Sequence, residues 1–400
     1  MVPNGFKVGG IYSGLSHKKG KKDLSIFLSD VPADAAGIFT RSVVKAAPVL
    51  LDIRRLRKSS KFSGIVANSG CANACTGDKG LEDAEYLCSA CENIFGLDSG
   101  SLLCASTGVI GQYLNISKNN FYEKIKLLKD NTGTSYKNEE ESILAVMTTD
   151  TFVKKAEREI VVNNGKAKIW GCIKGAGMIH PDLSGLHATM LSFILTDASI
   201  DALTLQSILE ESADKSFNCI SVDGDTSTND AVIALANGQN GAGRLCGKDL
   251  AVFRESFGEL SIELAKCVAK DGEGATKFIE IEVKNAAAKK DAKLIASTLA
   301  TSPLFKTAMF GADANWGRII AAAGRAGVFF ELNKVNIYIG GIHVFKNGIA
   351  LDFCEETAKK YLSKNEIAVV IDLGAGGEST KYYTCDFSYD YVRINGGYRS

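Results

Sequence analysis

The sequence has few of the features that mark nucleic-acid-binding, disordered or membrane proteins. Its 46 basic and 46 acidic side chains cancel, so there is no basic field for nucleic acid and no acidic excess typical of a disordered tail. Apolar stretches such as 367–371 have the length of a strand, far short of the roughly 18–20 residues of a membrane span. The first residues lack the features of a signal peptide. We therefore expect a soluble, cytoplasmic protein that binds neither nucleic acid nor membrane.

Histidine and proline are scarce, and cysteine is thinly spread. Four histidines cannot readily complete a zinc site, and neither the Cys88/Cys91 pair nor the Cys71/Cys75 pair has a histidine cluster nearby. An odd number of cysteines, 11, scattered along the chain favours free thiols in a reducing compartment over a disulfide framework. A bound metal is therefore not expected.

What the sequence does contain is an alternation of strand patterns, glycine- and asparagine-rich turns, and amphipathic helical patterns. This alternation predicts a mixed α/β or α+β fold, and no segment looks like a flexible linker between domains. The predicted strands are 62–68, 102–107, 159–170, 190–196, 278–283 and 336–339. The predicted helices are 81–95, 119–128, 204–217, 248–270 and 287–299.

One segment suggests a specific chemistry. A glycine-rich run that begins at Lys174 and contains Pro181 changes at Ala188-Thr189 into an apolar strand pattern. A threonine at such a junction suits a chain cleavage that leaves it as a new N-terminus. Its hydroxyl needs a base to act as a nucleophile, and a free α-amine, which titrates near ~7.7–8.0, is such a base. Spacing alone favours the plainer interpretation, in which the pair simply begins a strand.

The whole chain, however, resembles the ornithine acetyltransferase family, whose motifs occur here in order. In the segment just described they are Lys174-Gly-Ala-Gly-Met-Ile, Pro181 and Ala188-Thr189-Met-Leu. Elsewhere they are GGI at 9–11, AGIFT at 36–40, KAAP at 45–48, ANSGCANACTG at 67–77, STGVIG at 106–111, MTTDT at 147–151, SVDGDTSTND at 221–230, DGEGATK at 271–277, GADANWGR at 311–318 and INGGYRS at 394–400.

The resemblance implies a glutamate N-acetyltransferase of the cyclic route to arginine. Thr189 would take the acetyl group from N2-acetyl-L-ornithine, and L-glutamate would accept it from the acetyl-threonine intermediate. A self-cleavage between Ala188 and Thr189 would first produce chains 1–188 and 189–400, which would associate as an α2β2 heterotetramer. The implied fold is a layered αββα-like sandwich related to the DmpA-type self-processing aminopeptidases. No cofactor is implied, and acetyl-CoA as a second acetyl donor is left open.

The same resemblance implies roles for individual residues. Thr107 and Gly108 would form the oxyanion hole, where a hydroxyl and a backbone N–H converge on one oxygen. Lys174 would bind a substrate carboxylate or keep the Thr189 amine deprotonated by charge repulsion. Glu273 suits the cationic amine of ornithine. Further substrate contacts would come from Thr148, with Thr149 as second choice, and from Asn395 and Ser400.

Two loops invite other interpretations that we consider weaker. Residues 223–230 have the composition of a calcium loop but lack the downstream glutamate of an EF-hand, so we expect a structural turn near the active site. Residues 374–377 are glycine-rich but too short for a phosphate-binding loop.

The chain departs from the family pattern just before the predicted cleavage point, where residues 184–187 are surplus. A longer loop costs only tenths to about 1 kcal/mol of closure entropy, but self-cleavage requires the Thr189 hydroxyl to approach its own preceding carbonyl. We expect cleavage to occur. The alternatives are an aminopeptidase or deacylase of the same fold, in which water accepts the acyl group, and an unprocessed inactive homologue.

Overall fold

The computed structural model describes residues 1–16, 19–116, 121–181 and 190–397. The strands in these ranges are β1 Phe6–Ile11, β2 Leu24–Phe39, β3 Lys61–Cys71, β4 Leu102–Val109, β5 Lys154–Val162, β6 Gly165–Lys174, β7 Leu191–Thr196, β8 Ile220–Ser221, β9 Ala231–Ala236, β10 Phe278–Ala286, β11 Asn336–Ile339, β12 Ile342–Lys346, β13 Ile349–Ala350, β14 Glu366–Asp372 and β15 Glu378–Cys385. The helices are α1 Ala47–Lys58, α2 Gly77–Phe95, α3 Phe121–Asp130, α4 Tyr136–Val146, α5 Ala202–Lys215, α6 Gly247–Lys270, α7 Lys289–Ala300, α8 Pro303–Phe310, α9 Trp316–Gly324, α10 Glu355–Leu362 and α11 Tyr389–Gly397.

The larger sheet has eight strands and folds over on itself at the long strand β2. The first half of β2 pairs with β1 and β3, its second half pairs with β9, and the register with β3 shifts between Leu28 and Ala33. β7, β6 and β5 follow β9 in the sheet order. The ring of Phe27, in the first half, lies 4.8 Å from that of Phe193 in β7 and 6.3 Å from that of Trp170 in β6. The two halves of the sheet therefore pack face to face.

Helices cover the outer face of each half. On the half formed by β1–β4, Ile26 and Val66 belong to the same buried cluster as Leu87 of α2 and Ile125 of α3. On the half formed by β5, β6, β7 and β9, the buried cluster contains residues of α5 and α6, such as Leu205, Phe257 and Leu264. Because adjacent strand residues point to opposite faces, each half contributes to both a helix-facing and a sheet-facing core. The predicted layered α/β sandwich is confirmed.

The second sheet has seven strands in the order β13-β12-β11-β14-β10-β15-β8. Its apolar core lies against α7–α10 and includes Ile281, Ile295 and Phe305. Its other face approaches α6, where Lys266 Nζ binds Glu280 at 3.0 Å. Helix α6 thus connects the second sheet to the sandwich. None of the helices in the described ranges is both long and apolar enough to cross a bilayer.

Most local predictions from periodicity match an observed element, and the predicted strand 336–339 coincides with β11. The predicted helix 119–128 overlaps α3, although residues 119 and 120 lie outside the described ranges. The predicted single strand 159–170 is wrong, because it spans parts of β5 and β6. Val162 pairs with Gly165, so Asn163 and Asn164 form a two-residue hairpin turn. The residue with a positive φ is Gly165, which follows the turn with φ +147°.

The predicted division at residue 188 lies between two strands of one sheet. Strands β6 and β7, which lie on either side of it in the sequence, pair antiparallel with Lys174 opposite Leu191. Chains 1–188 and 189–400 would therefore share one sheet and one core. Ala188, Thr189 and the surplus residues 184–187 lie outside the described ranges, so the cleavage itself stays a prediction.

Candidate active site

A pocket beside the ends of β4 and β6 collects most of the predicted site residues. Those that line it are Thr107, Gly108, Thr148, Thr149, Lys174, Glu273 and Asn395. They come from the end of β4, the loop between α4 and β5, the end of β6, the loop before β10, and α11. Ala188, Thr189 and Ser400 are not among the described residues, so their positions relative to the pocket stay predictions.

The Thr107–Gly108 turn has a geometry that only glycine fits. Gly108 has φ +136°, and a Cβ added to it would lie 2.3 Å from the backbone carbonyl carbon of Gly70 in β3. The preceding segment is held by Asn229, whose side-chain amide donates to the Ser106 carbonyl at 2.8 Å and to the Ala72 carbonyl at 2.5 Å. Strand β3 on one side and Asn229 on the other therefore hold this turn in place. An oxyanion hole requires donors that are fixed in this way.

Lys174 is the last residue of β6 and lines the pocket although its exposure is only 5%. Burial lowers the pKa of its ammonium, while Asp150, Asp230 and Glu273 raise it. A buried lysine surrounded by carboxylates can remain charged only through those neighbours, because the desolvation cost of an isolated ammonium is high. Lys174 is thus a pocket cation whose protonation depends on its surroundings.

Behind the pocket lies a buried charge network centred on Lys154. Its Nζ binds Asp150 Oδ1 at 2.6 Å and also contacts Asp271 Oδ2, and all three side chains are almost wholly buried. Burial raises the pKa of Asp150, but Lys154 and Lys174 outweigh it and the net effect lowers that pKa to about 2. The carboxyl is therefore ionised at any pH where the enzyme would work.

The same network joins three parts of the pocket wall. Asp150 accepts hydrogen bonds from the backbone N–H of Thr148 at 2.9 Å and of Gly175 at 2.7 Å. Asp271 accepts one from the Thr151 N–H at 3.0 Å. The network therefore holds three segments in one arrangement: the threonine loop, the end of β6 and the loop that carries Glu273.

That carboxylate is Glu273, which lies directly against a glycine of the loop after β6. A Cβ added to Gly177 would lie 2.3 Å from Glu273 Oε2, and the Glu273 N–H donates to the Ala176 carbonyl at 2.8 Å. Gly274 has a different function, because a Cβ there would lie 2.4 Å from the backbone nitrogen of Tyr391 in α11. These glycines allow the strand end and the C-terminal helix to approach the Glu273 loop.

The 223–230 loop also reaches the pocket and fixes the turn after β6. Asp223 accepts hydrogen bonds from the N–H groups of Met178 at 2.6 Å and Ile179 at 2.8 Å. This arrangement supports the structural turn predicted for the loop. Within the described ranges, no group of three or more His, Cys, Asp or Glu side chains is arranged to hold a metal ion.

Several lining residues were not predicted as site residues. They are Ile110, Gly177, Met178, Asp223, Asp225, Ser227, Asn229 and Tyr391. The density of polar side chains between β8 and β9 was a usable signal for those of the 223–230 loop. Tyr391 had no such signal, because only the packing of α11 brings it to the pocket.

A threonine–glycine turn, a buried lysine and a facing glutamate around one pocket define an enzyme site for a small charged substrate. The comparisons with known proteins agree with this. The model of the ArgJ family matches residues 7–400. The arginine biosynthesis bifunctional protein ArgJ of Caldanaerobacter subterraneus is 42% identical over 405 residues, which cover 100% of this chain and 98% of that protein.

Two solved structures are also similar to this chain, to different degrees. The crystal structure of the ArgJ protein of Bacillus halodurans is 44% identical, with a TM-score of 0.51, and covers 52% of this chain and 100% of that chain. The L-aminopeptidase D-Ala-esterase/amidase of Ochrobactrum anthropi, described as a variant of the Ntn hydrolase fold, matches at 12% identity and a TM-score of 0.41. The chain belongs to the ArgJ family. It is an acetyltransferase of arginine biosynthesis.

Proposed function

We propose that this enzyme transfers the acetyl group of N2-acetyl-L-ornithine to L-glutamate through an acetyl-Thr189 intermediate, after cleavage between Ala188 and Thr189. The observation that carries the proposal is the pocket that gathers Thr107, Gly108, Lys174 and Glu273. The chain that follows Thr189 is anchored beside it. Met190 is fully buried, and its carbonyl accepts a hydrogen bond from the Ala231 N–H at 2.8 Å.

The charges of the pocket suit these substrates. N2-acetyl-L-ornithine carries an α-carboxylate and a side-chain ammonium, and the pocket offers Lys174 and Glu273, which have the opposite charges. Charge-assisted hydrogen bonds to such groups are the strong ones. In this scheme Lys174 binds the α-carboxylate of donor and acceptor alike, and Glu273 binds the ammonium of ornithine.

The reaction is a double displacement. The Thr189 hydroxyl attacks the acetyl carbonyl while the Thr189 α-amine takes its proton, and Thr107 and Gly108 stabilise the oxyanion. Collapse of the tetrahedral intermediate breaks the amide bond, and the α-ammonium returns the proton to the nitrogen of the departing ornithine. The glutamate amine then attacks the acetyl-threonine ester, loses its proton to the α-amine, and leaves as N-acetylglutamate when Thr189 recovers its hydroxyl proton.

The remaining features are proposed on the same basis. No cofactor takes part, because nucleophile, base and oxyanion donors all belong to the chain. Acetyl-CoA would serve only as a second acetyl donor, in keeping with the word "bifunctional" in the name of the Caldanaerobacter relative. The cleaved chains would associate as an α2β2 heterotetramer in the cytoplasm. The Bacillus halodurans chain matches over its whole length, yet it covers only 52% of this chain. A separated cleavage product would give such a match.

Intact-mass spectrometry of the purified protein, beside a Thr189→Ala variant, tests the nucleophile. Two fragments that meet at Ala188/Thr189, with the variant uncut, would support it. A single full-length chain would mean that the surplus residues 184–187 block maturation, and the Thr189 mechanism would fail.

An assay with isotopically labelled N2-acetyl-L-ornithine tests the acceptor. Label that moves to glutamate supports the transferase. Label released as acetate at the same rate with and without glutamate would favour the deacylase alternative.

A further inference from the structure

Helix α11 lies on the surface but contributes two side chains to the pocket. Its residues 389–397, all within the described ranges, include none that is buried, yet Tyr391 and Asn395 line the pocket. They are four residues apart and therefore lie on one face of the helix, and the Asn395 side-chain amide donates to the Tyr391 carbonyl at 3.1 Å. Asn395 is an expected substrate contact, whereas the scheme above assigns no part to Tyr391.

The ring of Tyr391 is held in place from inside the protein. It stacks on the ring of Phe387, with the centroids 4.7 Å apart and an interplanar angle of 22°. Lys306 Nζ lies 4.5 Å from the Phe387 centroid. This lysine is fully buried, and its ammonium donates to Thr384 Oγ1 at 2.8 Å. The junction before α11 is therefore braced by a buried cation, as suits a side chain that must be fixed to recognise a ligand.

The backbone of Tyr391 adjoins the loop that carries Glu273. Gly274 follows Glu273 directly, and a Cβ added to Gly274 would lie 2.4 Å from the Tyr391 nitrogen. Ser388, one residue before α11, donates a hydrogen bond to the Gly274 carbonyl. Tyr391 and Glu273 thus belong to adjoining segments and line the same pocket.

The pocket contains more acidic than basic side chains. Among the described lining residues, the carboxylates of Asp223, Asp225 and Glu273 stand against one ammonium, that of Lys174. Burial raises the pKa of the Tyr391 phenol, and the same three carboxylates raise it further, so the phenol stays neutral. A neutral hydroxyl oxygen can accept a hydrogen bond, and an ammonium is a donor that both this oxygen and a carboxylate can bind.

We propose that Tyr391 is a specificity-determining residue, whose hydroxyl oxygen accepts a hydrogen bond from the side-chain ammonium of N2-acetyl-L-ornithine beside the Glu273 carboxylate. The inference rests on the proposed acetyl transfer and adds a residue to it. Glu273 supplies the opposite charge, and Tyr391 supplies a neutral acceptor whose place is set by Phe387. If Tyr391 only packed α11 against the protein, its ring would suffice and its hydroxyl would not be needed.

The test is Tyr391→Phe, which removes the hydroxyl and keeps the ring that stacks on Phe387. Tyr389→Phe is the matched control, because Tyr389 lies on the same helix but is 84% exposed and is not among the residues that line the pocket. Both variants are first checked for cleavage by intact mass and for folding by a thermal melt.

Titration calorimetry of the processed enzymes compares two ligands, L-ornithine and L-norvaline, which has the same carbon chain without the terminal amine. Loss of a hydrogen bond to a charged group should weaken the binding of ornithine to Tyr391→Phe by about tenfold or more and leave the binding of norvaline unchanged. Tyr389→Phe should bind both ligands as wild type does. An unchanged affinity of Tyr391→Phe for ornithine, or an equal loss for both ligands, would overturn the inference.

The acetyl-transfer assay separates this inference from the proposed function. In a double displacement each substrate has its own kcat/KM, so the value for N2-acetyl-L-ornithine should fall in Tyr391→Phe. The value for glutamate, which has no side-chain ammonium, should not fall, and an equal fall in both would overturn the role of Tyr391. If wild type itself moves no acetyl group to glutamate, the proposed function fails. If wild type is active and Tyr391→Phe uses N2-acetyl-L-ornithine equally well, only the role of Tyr391 fails.

Discussion

The wall of the pocket and the core of the second sheet are both buried, yet they are built from different residues. The second sheet packs apolar side chains such as Ile281, Ile295 and Phe305 against its helices. The pocket wall instead buries Lys154, Lys174 and several carboxylates. Buried ion pairs contribute little net stability compared with apolar packing. The interior of the sandwich thus contains charged side chains that hold the site in place, whereas the second sheet contributes mainly stability.

The largest effect should come from breaking the charge network. Lys154→Met leaves Asp150 and Asp271 without their shared cation, and an uncompensated buried charge costs about 3–5 kcal/mol. Urea unfolding should show that loss. Lys166→Met is the control, because its ion pair with Glu159 is exposed on both sides and should cost less than about 1 kcal/mol. An equal loss of unfolding free energy in both variants would show that the buried network contributes no more stability than an exposed ion pair.

Unfolding at low pH tests the same charge network. The folded-state pKa of Asp150 is lowered to about 2 from its ordinary value of 3.8, so its contribution to stability is present above pH 3.8 and is lost as the pH falls through 2. The stability difference between wild type and Lys154→Met should therefore shrink in that window. A difference that stays constant down to the lowest measurable pH would contradict the assignment.

A change at the Thr107–Gly108 position should lower both stability and catalysis, and its effect on catalysis is measured on the folded fraction. Gly108→Ala places a Cβ 2.3 Å from Gly70 and displaces the N–H, and loss of an oxyanion donor costs about 10²–10³-fold in kcat. Gly20→Ala is the control, since Gly20 also has a positive φ of +79°, but no atom of the described residues lies within 4 Å of a Cβ added there. Steady-state kinetics of the processed enzymes would show the difference. Full activity in Gly108→Ala would remove Thr107–Gly108 from the mechanism.

The smallest effect should come from the second sheet. Ile281→Val removes one methylene from a fully buried side chain and should cost about 0.5–1.5 kcal/mol. The kcat and KM of the folded enzyme should stay at their wild-type values, because the change lies outside the pocket. A changed kcat would show that the second sheet contributes to catalysis beyond stability.

The hydrophobic periodicity of the sequence predicted a helix or strand well where a single period continued through the whole element. The alternation at 336–339 coincides with β11, and the periodicity at 248–270 matches α6 within a residue. The failure at 159–170 has a local cause. Strands β5 and β6 have similar patterns on either side of a two-residue turn, so alternation alone did not reveal the reversal.

The sequence by itself determined the α/β class, the family and seven of the fifteen residues that line the pocket, because period, polarity and motif order are properties of neighbouring residues. Only the tertiary structure decided that β2 bends to close the sandwich, that Glu273 contacts Gly177, and that Asp150 and Asp271 share the buried cation Lys154. The physical reason is that these contacts join segments far apart in the chain. Their pairing depends on how whole sheets and helices pack, and burial, which sets the charges of the site, exists only once they have packed.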